Sequence, residues 1–165
     1  MKLKPGDILA CWDNSWISKI IRFITRSQVS HIAIMYDDEM VIESWWNGVR
    51  IIKLSDLKKR SNFYVMRAND VSDLQIEYII DFLQDVYSKS YDFIQLVTIG
   101  LHKIFGINVK NSNTNYICSE LAWEAYNSVG IDIAPQIDSS DEVTPGDLQT
   151  SPALKMTNVY IKVKV

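Results

Sequence analysis

Cysteine is scarce in this 165-residue chain, which carries two, Cys11 and Cys118. Neither has a second thiol or a histidine at ligand spacing, so a disulfide framework and a zinc cluster are both excluded and a catalytic thiol becomes the alternative. Proline is also sparse, at four residues, beside 47% apolar and 22% charged residues, which excludes disorder and a fibrous repeat. A formal charge of −3 gives no basic footprint for nucleic acid. The locally basic run "KLSDLKKR" reads as a solvated turn. Neither "MKLKPGDILA" nor any later stretch is apolar for long enough to be a signal peptide or a membrane span. That predicts a cytoplasmic protein, with a phage-associated or wall-directed role reached by other routes. What remains is a chain of the length that builds one domain, residues 1–165, around a real core.

The periodicities predict mixed structure. "GDILACW" reads as a short strand, after which Asn14 or Ser15 caps a helix over "SWISKIIRFITR". There Trp16, Ile17, Ile20, Ile21 and Ile24 share one face, which is expected to be buried. "VSHIAIMY", "MVIESWW" and "VRIIKL" predict two successive hairpins, joined by the acidic turn "DDE" and an Asn-Gly turn. "NFYVMRA" is a further strand. Ser72 opens a helix with Gln75 as its capping-box partner, and Leu74, Ile76, Ile79, Ile80, Leu83 and Val86 supply its apolar positions. A second helical segment is expected from Phe93 to Phe105. Polar "NVKNSNTN" then leads into the helix of "TNYICSELAWEAYNSVG", which stops at Gly130. The alternating tail "NVYIKVKV" returns to the sheet as an edge strand. "PGDIL" and "PGDL" echo each other as reused turn chemistry, without an internal repeat.

Cys118 opens its helix, where unpaired backbone N–H groups favour a thiolate and can hold an oxyanion. It also shares a face with Leu121, Ala122, Ala125 and Val129, so a core role competes with a nucleophilic one. His31 starts an apolar strand on the side of Ala33 and Met35, where an imidazole turns inward toward a packed helix and could serve as general base. With "DDE" as a three-residue loop, Tyr36 pairs with Met40 and Glu43 falls opposite Ala33, diagonal to His31. A carboxylate there would orient the ring. A one-residue slip would turn it outward. His102 reads as solvated and Cys11 as core. At most one of Trp45 and Trp46 lines a groove, because neighbours on a strand point to opposite faces. Tyr91 and Tyr116 each carry a hydroxyl able to donate to an oxyanion or to substrate. An apolar groove would suit an acyl chain, whereas Asp37, Asp38 and Glu39 near a mouth would suit an amine-bearing peptide.

Taken in order, "PGDIL", "SHIAIMY", "VIES", "YDF", "YICSELAWEAYNSVG" and "TPGDL" resemble the circularly permuted papain-like cysteine hydrolases, the YiiX/YebB-type branch of the NlpC-like superfamily. The histidine precedes the cysteine here, which is the permuted order. The resemblance implies an α+β fold with an antiparallel, barrel-like sheet of five or six strands packed against helices. It implies Cys118 as nucleophile, His31 as base, Glu43 as the group orienting it and Tyr91 near the oxyanion site. It also implies cleavage or transfer of acyl groups at amide or ester bonds of peptides, peptidoglycan fragments or lipid-like substrates, with no metal or cofactor. A catalytically silent peptide- or lipid-binding member of the fold, and an acyltransferase, are the alternatives.

Overall fold

The computed structural model describes residues 2–45, 48–88, 118–138 and 143–161. In chain order the elements are β1 (Ile8–Trp12), α1 (Trp16–Ile24), β2 (His31–Met35), β3 (Met40–Trp45), β4 (Gly48–Lys53), α2 (Leu54–Arg60), β5 (Asn62–Ala68), α3 (Asp73–Ser88), α4 (Cys118–Asn127), α5 (Pro145–Thr150) and β6 (Leu154–Tyr160). The six strands form one antiparallel sheet in the order β4-β3-β2-β1-β5-β6. The α+β architecture implied by the sequence is the one observed.

β1 sits inside the sheet with both of its faces covered, so Ile8, Leu9, Ala10 and Cys11 are all buried and show no alternation. Two apolar layers result. On the first face Ile8, Ala10, Ile32, Ile34 and Ile42 pack with Ile79 and Leu83 of α3 and with Leu121, Ala122 and Ala125 of α4. On the second, Leu9, Cys11, Ala33, Met35 and Val41 pack with Leu54 and Leu57 of α2 and with Phe63 and Val65 of β5.

Local chemistry explains where the elements begin and end. The Ser15 hydroxyl accepts from the Ser18 amide to cap α1. Ser72 and Gln75 close a reciprocal capping box ahead of α3, and Thr144 and Asp147 do the same for α5 with Pro145 at its first turn. α4 stops at Gly130, whose φ of +76° lets the Ile131 amide fold back onto the Tyr126 carbonyl.

Several expectations need correction. The apolar face of α1 is not buried: Ser18 is the buried residue of that helix, and Trp16, Ile17, Ile20 and Ile24 are exposed. Spacing shows that apolar residues share a face, but not which way the face turns. "KLSDLKKR" is no turn, since Leu54 to Arg60 form α2 with Leu54 and Leu57 inward and the cations in the last turn. Gly48 pairs with Trp45 inside the β3–β4 ladder, so the connection is residues 46–47, outside the described residues, and not Asn-Gly. "PGDL" opens helix α5, whereas "PGDIL" is a turn into β1 with Gly6 at φ +82°. The segment from Phe93 to Phe105 also lies outside the described residues.

Candidate active site

β2 and β3 pair as a three-residue turn requires. The Tyr36 amide donates to the Met40 carbonyl, Met35 pairs with Val41, and Ile34 pairs with Ile42. This register carries Glu43 to the position opposite Ala33, on the face of His31. His31 Nε2 lies 2.8 Å from Glu43 Oε2. Because an ionised carboxylate only accepts, Nε2 is the donor, and Nδ1 is the nitrogen left for other partners.

Cys118 is the other neighbour of the ring, close enough for its charge and a side-chain hydrogen bond to act on the imidazole. The route differs from the expected one. Ala33 and Met35, which share His31's side, face α2, while α4 packs on the opposite side against Ile32 and Ile34. Cys118 is the first residue of α4 and His31 the first of β2, so they meet at the end of the strand. Half-buried Cys118 contrasts with buried Leu121, Ala122 and Ala125 on the same helix.

Glu43 is wholly buried and held by more than the histidine. Arg50, directly across the β3–β4 ladder, places Nε 2.8 Å and Nη2 2.7 Å from Oε1. Arg60, from the last turn of α2, donates to Oε2. The guanidinium carbons of Arg50 and Arg60 lie 4.5 Å and 4.3 Å from the centre of the Trp45 ring, and His31 meets that ring edge-on at 5.2 Å. One indole therefore braces both cations and the imidazole.

These contacts set the charges. Burial alone would raise the Glu43 carboxyl, but the hydrogen bond and charge of His31, then Arg60 and Arg50, outweigh it and lower its pKa to about 2. Burial would likewise strip the proton from His31. The charge and hydrogen bond of Cys118, followed by those of Glu43, reverse this and raise the imidazole pKa to about 9. Cys11, paired across the ladder from His31, is buried, donates to the Leu9 carbonyl at 3.3 Å, and has its pKa raised by that burial. That is the environment of a packing residue.

Of the residues singled out in the sequence, His31, Glu43 and Cys118 are brought together. Tyr91, Tyr116, His102 and Trp46 lie outside the described residues. Asp37, Asp38 and Glu39 sit in the turn after Met35, at the far end of β2 from His31, and so do not border the thiol. A cavity of about 530 Å³ lined by Asp7, Arg67 and Glu77 also opens toward that other end of β1. Arg50 and Arg60 were missed. The expected Asn-Gly turn would have set Ile52 opposite Glu43, and it is the observed pairing of Trp45 with Gly48 that puts Arg50 there. The Leu54–Leu57 spacing could have revealed α2 and thus Arg60.

Residues 2–156 match the family model described as "Permuted papain-like amidase enzyme, YaeF/YiiX, C92 family". A curated relative, the probable lipoprotein peptidase YaeF of Escherichia coli strain K12, is 34% identical over 92 residues, covering 55% of this chain and 34% of that protein. The chain thus spans about a third of the length of that relative in the match. A crystal structure titled as the metalloprotein yiiX from Escherichia coli O157:H7 superposes with a TM-score of 0.71 at 18% identity, over 99% of both chains, a likeness of fold. Among the described residues no group of three His, Cys, Asp or Glu side chains is arranged to hold a metal ion. The order of His31 before Cys118, the matched sheet and the family model agree: the chain belongs to the permuted papain-like amidase family C92.

Proposed function

We propose that the protein is a cysteine hydrolase that cleaves an amide bond of a peptide, peptidoglycan-derived or lipid-linked acyl substrate through a covalent thioester. One observation carries this reading: a single imidazole hydrogen-bonds a buried carboxylate and interacts with half-buried Cys118 at a helix start. In the reactive form the pair is a Cys118 thiolate beside a His31 imidazolium. The sulfur forms a bond to the acyl carbon while backbone N–H groups of the first turn of α4 receive the oxyanion. The carbon–nitrogen bond then breaks, and His31 gives its proton to the departing amine. Water attacks the thioester, His31 accepts its proton, and the carboxylic acid leaves as the thiolate is restored. Glu43 keeps the ring turned toward the sulfur, and Arg50 and Arg60 keep Glu43 ionised.

The test is iodoacetamide labelling across pH, with adducts assigned by mass spectrometry. Cys118 should be labelled much faster than buried Cys11, and His31→Ala should slow that labelling. A Cys118 that is labelled no faster than Cys11 and ignores His31→Ala would sink the nucleophile assignment and favour a silent binding protein. Acyl-peptide electrophiles should leave adducts on Cys118, and product analysis with an added amine acceptor separates hydrolysis from acyl transfer.

A further inference from the structure

α1 is amphipathic in the wrong direction for a core helix. Its polar side is anchored to the protein, with the Ser18 hydroxyl 2.7 Å from that of Ser30 and Arg22 donating to the carbonyls of Ser18 and Asp13. Its apolar side is left outward: Trp16 is 70% exposed, Ile17 53%, Ile20 44%, Phe23 85% and Ile24 37%. Single apolar side chains are ordinary on a surface, but five on one face of a nine-residue helix form a contiguous patch. Cations border it. Lys19 lies three residues after Trp16 and four before Phe23, on their side of the helix, and Arg26 follows at its end. From Asn14 to Tyr36 the sequence contains no acidic residue, although the chain as a whole carries −3. No ion pair involves Lys19, Arg22 or Arg26 among the described residues.

We propose that α1 docks this protein on an anionic lipid bilayer, with Trp16, Ile17, Ile20, Phe23 and Ile24 in the boundary between headgroups and acyl chains. Lys19 and Arg26 then meet the lipid phosphates. An outward apolar face carrying an aromatic residue near each end and rimmed by cations is the pattern of an interfacial helix. Charge decides among occupants. A second copy would set cation against cation, and an uncharged apolar groove would leave Lys19 and Arg26 unanswered. Ser30, which ties α1 down, immediately precedes His31, so docking brings the cysteine–histidine pair close to the membrane surface.

The experiment is sedimentation of the full chain with vesicles of phosphatidylcholine alone or mixed with phosphatidylglycerol. Binding should require the anionic lipid and weaken with added salt. Lys19→Gln and Arg26→Gln should each lower the partition coefficient about fivefold. Phe23→Ser should lower it roughly tenfold or more. These residues are solvent-facing, so thermal melting should stay at the wild-type value. Should Phe23→Ser melt early, the two charge variants decide. Absence of binding, or equal binding to both vesicle types, would overturn the proposal. So would a wild-type dimer that Phe23→Ser dissociates, which would assign the face to a second copy.

Discussion

Glu43 is where the charge balance of the cluster is decided. It faces three cationic partners from a fully buried position, so removing its charge takes from Arg50, Arg60 and His31 the carboxylate they share. Glu43→Gln is expected to lower the free energy of unfolding by about 3–5 kcal/mol, read from urea denaturation. The pH dependence follows from two shifts of opposite sign. The His31 pKa is raised from 6.5 to about 9, so its contribution to stability is full below pH 6.5 and is lost as pH rises through about 9. The Glu43 pKa is lowered from 4.5 to about 2, so its contribution is present above pH 4.5 and is lost as pH falls through about 2. The proposed amide cleavage uses the imidazolium as acid, so turnover should fall on the same alkaline limb. In Glu43→Gln that limb should move to lower pH, as a pH–rate profile would show. At this scale Cys118 could be picked out by its place at a helix start, His31 by opening an apolar strand, and Glu43 by being an acid inside one. Arg50 could not, because an arginine on a strand looks like any solvated residue until its ladder partner is known.

Among the elements, α2 links the second apolar layer to the cluster. Leu57 is fully buried beneath the sheet, and three residues on Arg60 reaches Glu43. Leu57→Ala should cost about 2–5 kcal/mol by the methyl groups removed and the cavity left. It should also loosen Arg60, so fluorescence of a protein with Trp45 as its sole tryptophan should shift relative to the same background with Leu57. Element type was readable where one signal dominated: short apolar runs bounded by a turn in β2 and β3, a Ser72–Gln75 box before α3, a glycine after α4. It failed where two signals competed. In residues 54–60 the cations outweighed the leucine spacing, and in α1 a strong apolar stripe was assigned to a core already filled by strands and by α3 and α4. Even the short α5 rests on its cap, and Thr144→Ala should lower stability by about 1 kcal/mol in denaturant unfolding.

Across the whole molecule, stability should grade outward from β1. Its amides are paired on both sides, to β2 and to β5, while β6 closes one edge and shows exposed residues along most of its length. In native-state hydrogen exchange the β1 amides should open only with global unfolding, whereas those of β6 should exchange by local opening. The permuted order has another consequence, in time. As a chain leaves the ribosome its N-terminal parts organise first. His31 and Glu43 lie twelve positions apart on one hairpin, and Arg50 and Arg60 follow within seventeen of Glu43, so all four are translated before Cys118. Cys118 is the last member of the cluster to be made, and it arrives at a pocket where His31 and the carboxylate that holds it are already in place.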